Sequence, residues 1–168
     1  GPAARWMHQG LTSSDVLDTT LAVQMASACD LLVKGVDHAR AAVAGQARAH
    51  KMTPMMGRSH GIHAEPVTFG LKMALMYDEL GRLRERLVQM RPRVAVGKLS
   101  GAVGTRAHLD PRVEEEVCDK LGLKPATLST QIVQRHRPAA CMTLLALAAR
   151  SIDRWATALR HLQRPEVP

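Results

Sequence analysis

One histidine, His60, stands in a short polar turn with a glycine on either side, Gly57 and Gly61. Helical patterns of apolar residues precede and follow this turn, so we expect the turn to join two long helices. Glycine adopts backbone conformations that other residues avoid, which suits a tight junction. An imidazole displayed there can pass a proton to or from a bound molecule. His60 is therefore a candidate general acid or base, with a buried structural histidine as the competing interpretation.

A second polar segment leads into the first predicted helix. It contains His8, the consecutive hydroxyl residues Thr12, Ser13 and Ser14, and Asp15. Capping of free helix amides accounts for one hydroxyl and for the carboxylate. The same hydroxyls, together with the amides of a helix N-terminus, also suit a carboxylate or a phosphate. From the residues alone, both interpretations stay open.

Metal binding has to be considered because His60 and His63 lie three residues apart. No acidic third ligand is near them in sequence, and the three cysteines are far apart with no CxxC pair. We therefore predict no metal site. The cysteines are odd in number and far apart, which also favours a reducing cytoplasm over a disulfide framework.

A third polar segment, from Ser129 to Arg137, opens the last predicted helix and includes Gln131. Its side chains either cap the helix and face solvent or project towards a shared pocket. Nothing within the segment decides between these two possibilities.

Long helices must position these groups. Apolar periodicity predicts a first helix over 14–50, which would be about 50 Å long or more. A second helix is predicted from Pro66, with Pro92 kinking or ending it. The last is predicted from Thr130 or Gln131 to about Gln163.

Between the last two long helices, the sequence predicts a loop and a short helix. The segment 97–105 contains three glycines, which indicates a loop or a close backbone approach. A short helix should follow, with Asp110 as its cap, Pro111 in its first turn and Gly122 after its end.

Each long helix carries one predicted apolar stripe. The stripe residues are Leu17, Leu21, Met25, Ala28, Leu32, Val36, Ala39 and Val43 in the first helix; Met73, Met76, Leu80, Leu83, Leu87, Met90 and Val94 in the second; and Met142, Leu145, Ala149, Ile152, Ala156 and Leu159 in the last. Three such helices cannot bury their stripes alone. We predict an all-α chain, an elongated long-helix bundle that self-associates.

Composition excludes several classes of function. The 168 residues fit one domain, and the net charge is +8. Basic residues are spread along the chain and aromatic residues make up only 2 %, so we predict no nucleic-acid binding and favour a small anionic substrate. We find no apolar run that would span a membrane and no signal peptide, so no membrane partner is predicted.

Taken together, the polar segments resemble the bacterial adenylosuccinate lyase family of the fumarase/aspartase superfamily. The resemblance is carried by His8-Gln-Gly-Leu-Thr-Ser-Ser-Asp15, by Gly57-Arg-Ser-His-Gly-Ile-His-Ala-Glu-Pro66, and by Ser129-Thr-Gln131 with Gln134-Arg135. The loop Gly97-Lys-Leu-Ser-Gly-Ala-Val-Gly-Thr105 fits as well. These segments occur in order and cover essentially the whole chain, which is more specific than any single motif.

This resemblance implies a fold and an activity. The family's central domain is a bundle of very long helices, four chains form a homotetramer, and each active site combines segments from three chains. The implied reaction is β-elimination of fumarate from adenylosuccinate, giving AMP. The same site would cleave the succinylated aminoimidazole carboxamide ribotide of purine biosynthesis. The implied substrate is an anionic nucleotide, the implied location is cytoplasmic, and no metal or organic cofactor is implied.

The resemblance also assigns roles to six side chains. His60 resembles the general acid that protonates the leaving amine. Thr12 and Ser13 look like the hydroxyls that hold the substrate's succinyl carboxylates, and His8 matches a histidine at the phosphate end. The substrate-binding set implied in this way is Thr12, Ser13, Ser59, Gln131 and His8.

The main departure from the family pattern is that these 168 residues do not contain the catalytic loop or the two flanking domains of the family. The family's base is a serine in a Gly-Ser-Ser-x-Met-Pro-His-Lys-Arg-Asn-Pro loop, expected shortly after Pro168. The family's N-terminal domain, with another site histidine, is expected before Gly1, and its C-terminal domain follows the loop. Residues 1–168 are therefore expected to be a central-domain fragment with negligible lyase activity of its own. The segment Arg135-His-Arg-Pro138 differs from the Arg-Asp-Arg-His of many relatives, so the resemblance assigns no role here beyond Gln131.

Two alternatives remain beside this interpretation. The first is a non-catalytic helical scaffold for oligomerisation. The second is a sister lyase or cycloisomerase of the same superfamily that acts on another succinyl or carboxymuconate substrate. The run Thr12-Ser13-Ser14-Asp15 disfavours the second alternative.

Overall fold

The computed structural model describes residues 1–165 and consists mainly of helices. A short 3-10 helix, Pro2–Trp6, precedes the main elements. The elements that follow are α1 (Ser13–Ala49), β1 (Pro54–Ser59), β2 (Ile62–Thr68), α2 (Phe69–Val94), β3 (Val96–Gly97), α3 (Pro111–Lys120), β4 (Lys124–Pro125) and α4 (His136–Leu162). Strands β1 and β2 form an antiparallel hairpin, and β3 and β4 pair in parallel. The predicted all-α architecture of long helices is confirmed, with the hairpin as an unforeseen addition.

The chain divides into two compact units. The first unit contains residues 1–31 and 88–143, and the second contains residues 32–87 and those from 144 onward. Each unit has apolar residues from the long helices at its centre.

In the second unit, α2 supplies most of the buried apolar side chains. Met73, Leu80, Leu83 and Leu87 are buried. They recur at steps of three, four and seven residues, because residues at this spacing share one face of a helix. All seven residues of the predicted α2 stripe are buried or half-buried, counting Met90 and Val94 in the first unit. The predicted stripe of α2 is confirmed.

The predicted stripe of α4 does not pack inside the chain. Ile152 is 61 % exposed and Met142 is 53 % exposed, whereas Cys141, Leu144 and Trp155 are buried. This helix is rich in Ala and Leu all round, so apolar periodicity fits two faces and does not say which one packs inside the chain. The outward apolar face remains exposed.

The predicted stripe of α1 is also only partly correct. Met25 and Val43 are buried, but Leu17 is 66 % exposed. In the first unit the buried side of α1 begins with Asp15 and Asp18. A search for apolar residues alone misses this face of α1. Its first turns bury polar side chains, which form hydrogen bonds with other segments.

Helix boundaries agree with the sequence where a cap defines them. Helix α1 matches its predicted range to within one residue at each end. In α3, the Arg112 amide donates to Asp110 Oδ1 at 2.9 Å, and Gly122 adopts a φ of +66° after the helix end. Both features of the predicted short helix are confirmed, and α2 ends at Val94, two residues after Pro92.

Two predicted helix starts are wrong. Pro66 lies in β2, and α2 begins at Phe69. Thr68 caps this helix, because its Oγ1 accepts a hydrogen bond from the Leu71 amide at 3.1 Å. Helix α4 begins at His136, several residues after the predicted start. Pro138 therefore falls in the first turn of α4, where a missing amide donor costs no intrahelical hydrogen bond.

One helix meets a simple test for a membrane span, against our expectation from the sequence. Helix α1 contains an 18-residue window with a mean hydropathy of 1.4, of which 33 % is buried within the chain. Length and composition alone give this result, and core helices of proteins in water pass the same test. One such helix is weak evidence for a membrane.

Two leucines of α2 test which face of this helix carries the core. Leu87 is 1 % exposed and Leu75 is 53 % exposed. Leu87→Ala removes buried methyl groups and leaves a cavity, so it should lower the free energy of unfolding by about 2–5 kcal/mol. Leu75→Ala, the matched control, should lower it by less than about 0.5 kcal/mol. Urea titrations of both variants make the measurement, and equal losses would contradict the assigned packing.

Candidate active site

The hairpin presents His60 at its tip in the second unit. His60 and Gly61 are the two central residues of the turn, with φ values of +55° and +77°. Positive φ at both positions defines the type I′ turn, whose twist matches that of the flanking strands. A left-handed backbone is uncommon for a residue other than glycine. The His60 side chain is exposed, so it is not a buried structural histidine.

A bulge in β1 shapes the same hairpin. Ser59 pairs with Ile62 and Arg58 with His63, but the register shifts between Met56 and Arg58. Gly57 occupies this irregular position, and a Cβ there would lie 2.4 Å from the Glu65 carbonyl oxygen. Glycine is therefore needed for the close approach of the two strands. Ser59, the predicted neighbour of the acid, is exposed at the end of β1.

The base of the hairpin is closed by hydrogen bonds. The Phe69 amide donates to the Thr53 carbonyl at 2.9 Å, and the Gly70 amide donates to the His50 carbonyl at 2.9 Å. The rings of His50 and Phe69 meet edge to face, 5.2 Å apart. These contacts join the end of α1 to the start of α2, so the turn that carries His60 projects from a fixed base.

In the first unit, the start of α1 brings two predicted binding residues together. Thr12 is the cap of α1, and its amide donates to Asp15 Oδ2 at 2.8 Å. This contact is half of a capping box, in which the third helical residue reaches back to the cap. The Thr12 hydroxyl accepts a long hydrogen bond of 3.4 Å from Gln131 Nε2.

The other two predicted binding residues of this unit, His8 and Ser13, lie on either side of Thr12 in the sequence. Ser13 is exposed in the first turn of α1. His8 is exposed and has a φ of +66°, and its carbonyl accepts the Leu11 amide at 3.2 Å. Thus His8, Thr12, Ser13 and Gln131 lie in the first unit, whereas Ser59 and His60 belong to the hairpin of the second.

A buried ion pair lies directly beneath the Thr12 cap. Lys98 Nζ donates to Asp15 Oδ1 at 2.5 Å, and both side chains are fully buried. The amides of Ser100 and Gly101 each donate to the same carboxylate at 3.1 Å. Lys98 Nζ also donates to the carbonyls of Gly101 at 2.9 Å and Gln131 at 2.8 Å. The pair therefore connects α1, the 97–105 loop and the segment around Gln131.

The 97–105 loop has further anchors on each side. Thr19 Oγ1 donates to the Lys98 carbonyl and accepts from the Lys98 amide, both at 3.0 Å. The Leu99 amide donates to Glu114 Oε1 at 2.9 Å. Arg106 also binds Glu114, so this carboxylate joins the two ends of the loop to α3. Although glycine-rich, the loop is held firmly at its start.

The pKa of Asp15 reflects its surroundings. Burial by itself would raise it, because a charged carboxylate loses its contact with water. The hydrogen bond from Lys98 Nζ and those from the Thr12 and Ser100 amides outweigh this effect. The pKa of Asp15 therefore lies below its usual value of 3.8, and the side chain is ionised at neutral pH.

Two arginines near the start of α4 have structural partners. Arg135 Nη1 donates to Asp18 Oδ1 at 2.8 Å, and the Val133 amide donates to Asp18 Oδ2 at 2.7 Å. Arg137 Nη1 donates to the Arg93 carbonyl at 2.9 Å. These contacts give each guanidinium at least one structural partner, while Arg137 Nε is buried with no hydrogen-bond partner among the described residues.

An apolar groove of about 330 Å³ lies between α1 and α3, and its lining includes Asp15 and Thr19. Val16, Val23, Leu99 and Val117 contribute much of its lining. A polyanion does not fit such a surface, because its charges would lose water without gaining partners. Within residues 1–165, no three His, Cys, Asp or Glu side chains are grouped to hold a metal ion.

Comparison with known proteins places the chain in a family. A family model described as Lyase matches residues 2–167. The chain belongs to this lyase family. Over 167 residues the lyase chain is 52 % identical to the adenylosuccinate lyase of Synechocystis sp.. That match covers 99 % of the lyase chain and 39 % of the relative, so the chain spans about two fifths of the relative's length. The resemblance stated from the sequence is confirmed.

Two solved structures share the fold of the lyase chain. The fumarate lyase from Mesorhizobium sp. matches with a TM-score of 0.92 and 35 % identity, over 99 % of the lyase chain and 40 % of its own. The 3-carboxy-cis,cis-muconate lactonizing enzyme from Pseudomonas putida matches with a TM-score of 0.91 and 33 % identity, over 98 % and 38 %. The predicted superfamily fold is confirmed.

Sequence reasoning missed the roles of Lys98 and of Asp15 beyond capping. Their contact spans 83 residues, and no periodic pattern links positions so far apart. The sequence offers a partial signal for this pair. Lys98 lies inside a glycine-rich apolar loop, and a lysine that is buried there needs a charged partner. The hairpin was also missed, although a polar residue followed by glycine is a two-residue turn signal.

The ion pair in the lyase chain predicts a specific sensitivity to acid. In the folded chain the pKa of Asp15 is below 3.8, its ordinary value, so the unfolded chain takes up the proton first. The stabilisation is fully present above pH 3.8 and is lost as the pH falls below that value through the folded pKa. Asp15→Asn removes this contribution. Urea titrations from about pH 7 down to about pH 2 should show a shallower acid-dependent loss for Asp15→Asn than for the unchanged chain. Parallel curves would contradict the assigned pKa.

Proposed function

We propose that residues 1–168 are the central helical domain of an adenylosuccinate lyase. The parent enzyme would release fumarate from adenylosuccinate to give AMP, and would also cleave the succinylated aminoimidazole carboxamide ribotide. The observation that carries the proposal is the 52 % identity to the Synechocystis lyase across 99 % of the chain. The structure describes residues 1–165, so the last three residues of the proposed domain lie outside the described part.

His60 is proposed as the general acid. Elimination leaves electrons on the departing nitrogen, which must gain a proton as the carbon–nitrogen bond breaks. An exposed imidazole on a turn can approach that nitrogen, and a donor of this kind accelerates a reaction by about 10²- to 10⁴-fold. Ser59, the residue before it, would contact the same substrate group.

Thr12, Ser13, Gln131 and His8 are proposed as substrate-binding groups. The start of α1 offers hydroxyls and free amides, which suit the succinyl carboxylates. Gln131 Nε2 lies next to the Thr12 hydroxyl. A carboxylate oxygen bound beside these two groups would accept a hydrogen bond from each of them. His8 would serve the phosphate end. The net charge of +8 favours an anionic nucleotide.

The remaining site groups are proposed to come from other segments and other chains. The chain spans about two fifths of its relative, so the base that removes the carbon-bound proton is assigned to the rest of the parent protein. We propose a homotetramer with shared sites, in the cytoplasm, working without a metal or organic cofactor and without nucleic acid or membrane.

The proposed acid can be tested in a full-length chimera. In it, residues 1–168 replace the matching segment of the Synechocystis lyase. His60→Gln removes the proton donor, so kcat for adenylosuccinate should fall by about 10²- to 10⁴-fold. Fumarate release, followed by absorbance, makes the measurement.

His63→Gln is the matched control, because His63 is exposed in the same hairpin and has no proposed role. Its kcat should stay within about threefold of the unchanged chimera. Equal losses in both variants would refute His60 as the acid. A folded chimera that leaves adenylosuccinate intact but converts a carboxymuconate would favour the sister-enzyme alternative.

A scaffold role is the second candidate, and the outward face of α4 favours it. Met142, Ile152 and Leu159 are all exposed there, and exposed apolar surface of this kind commonly marks an interface. In this interpretation the 168-residue chain associates without any chemistry of its own.

Sedimentation measures this association directly. The unchanged chain should sediment as an oligomer at micromolar concentration, whereas Ile152→Asp should shift it towards the monomer, because a carboxylate loses its water in an apolar contact. Glu115→Asp, an exposed conservative change on α3, should leave the distribution unchanged. A monomeric unchanged chain would refute association through this face.

A further inference from the structure

The buried Asp15–Lys98 pair has every hydrogen-bonding site occupied. Asp15 Oδ1 accepts from Lys98 Nζ and the Ser100 amide, and Oδ2 accepts from the Thr12 and Gly101 amides. An ammonium has three donors, and those of Lys98 go to Asp15, Gly101 and Gln131. Such a network tolerates no alternative arrangement without leaving a buried polar atom unpaired.

Two of these contacts end on the backbones of binding residues. Asp15 holds the amide of Thr12 and Lys98 holds the carbonyl of Gln131. The direct contact between the two side chains is long, at 3.4 Å, and hydrogen bonds weaken at such distances. The buried ion pair therefore fixes the position of Thr12 relative to Gln131 more than the direct contact between their side chains does.

We propose that Asp15 and Lys98 are positioning residues, which set the spacing between the Thr12 hydroxyl and the Gln131 amide that receive a substrate carboxylate. This inference rests on the proposed function, since Thr12 and Gln131 have a substrate role only there. Neither charged group contacts the substrate itself, because both side chains are fully buried.

A second buried carboxylate of the first unit provides a matched control. Glu114 is 2 % exposed and Asp15 is 1 % exposed, and both hold amides of the 97–105 loop. Glu114 binds the Leu99 amide and Arg106. In the described residues it has no hydrogen bond with Thr12 or Gln131, so its loss disturbs the loop without directly releasing either binding residue.

The test uses the full-length chimera defined above. Asp15→Asn keeps the side-chain shape but turns one acceptor into a donor, which repels an amide or the Lys98 ammonium. KM for adenylosuccinate should rise by about 10- to 100-fold, because displaced donors lose hydrogen bonds to a charged carboxylate. The pH profile of kcat should keep its shape, since the proposed acid is unchanged. Glu114→Gln should leave KM within about threefold.

Hydrogen exchange adds a measurement that needs no turnover. In Asp15→Asn, amide exchange should become faster at residues 12–13 and 130–132 than in Glu114→Gln. If Asp15→Asn yields too little folded protein, the double variant Asp15→Asn/Lys98→Met also removes the unpaired ammonium, and the same results are expected from it.

Each outcome decides one of the two proposals. Unchanged KM and unchanged exchange in the Asp15 variant would overturn the positioning role. An equal rise of KM in Glu114→Gln would also overturn it, because general loosening of the loop would then suffice. If the unchanged chimera fails to cleave adenylosuccinate, the proposed function fails. Faster exchange confined to Thr12 and Gln131 would then still support the structural link.

Discussion

The contact between the Asp15 carboxylate and the Lys98 ammonium is the constraint on which the polar side of the first unit depends. Removing two charges from water costs several kcal/mol for each ion, and their attraction offsets this cost only when the remaining donors and acceptors are satisfied. Here four groups surround the carboxylate and three acceptors surround the ammonium. The three segments that supply these groups are thereby held in one arrangement, which brings the Thr12 hydroxyl to Gln131.

The hairpin solves a different problem, which is to display one imidazole. A type I′ turn needs two left-handed residues, and glycine meets this need at position 61 without strain. His60 takes the other position at a conformational cost, since its φ is +55°. Backbone strain of this kind persists where the surrounding structure enforces it. Here the paired strands and the closed base at Thr53 and Phe69 do so.

Local signals in the sequence were sufficient to predict the helices, but not the hairpin or the tertiary contacts. The stripe of α2 was predictable because its residues alternate steps of three and four along the whole helix, and α3 was predictable because Asp110 and Gly122 mark its ends. The packed face of α4 was not predictable, because Ala and Leu occur on both sides of the helix. The hairpin was hidden by glycines and a proline that also fit an irregular turn. The pairing of Asp15 with Lys98 was beyond sequence reasoning, since burial of both ions emerges only when segments 83 residues apart meet.

The two groups of candidate residues have opposite mechanical support, and this difference suits their proposed tasks. Thr12 and Gln131 rest on a buried, fully bonded network, so their positions change only if that network breaks. None of the hairpin residues is buried, and two-stranded hairpins have little stability of their own. Elements with few buried contacts are the ones that move at low cost in free energy. Binding a carboxylate requires donors that stay in place, whereas delivering a proton to a leaving nitrogen requires a donor that can approach and withdraw. A rigid helix start suits the first proposed task, and an exposed turn suits the second.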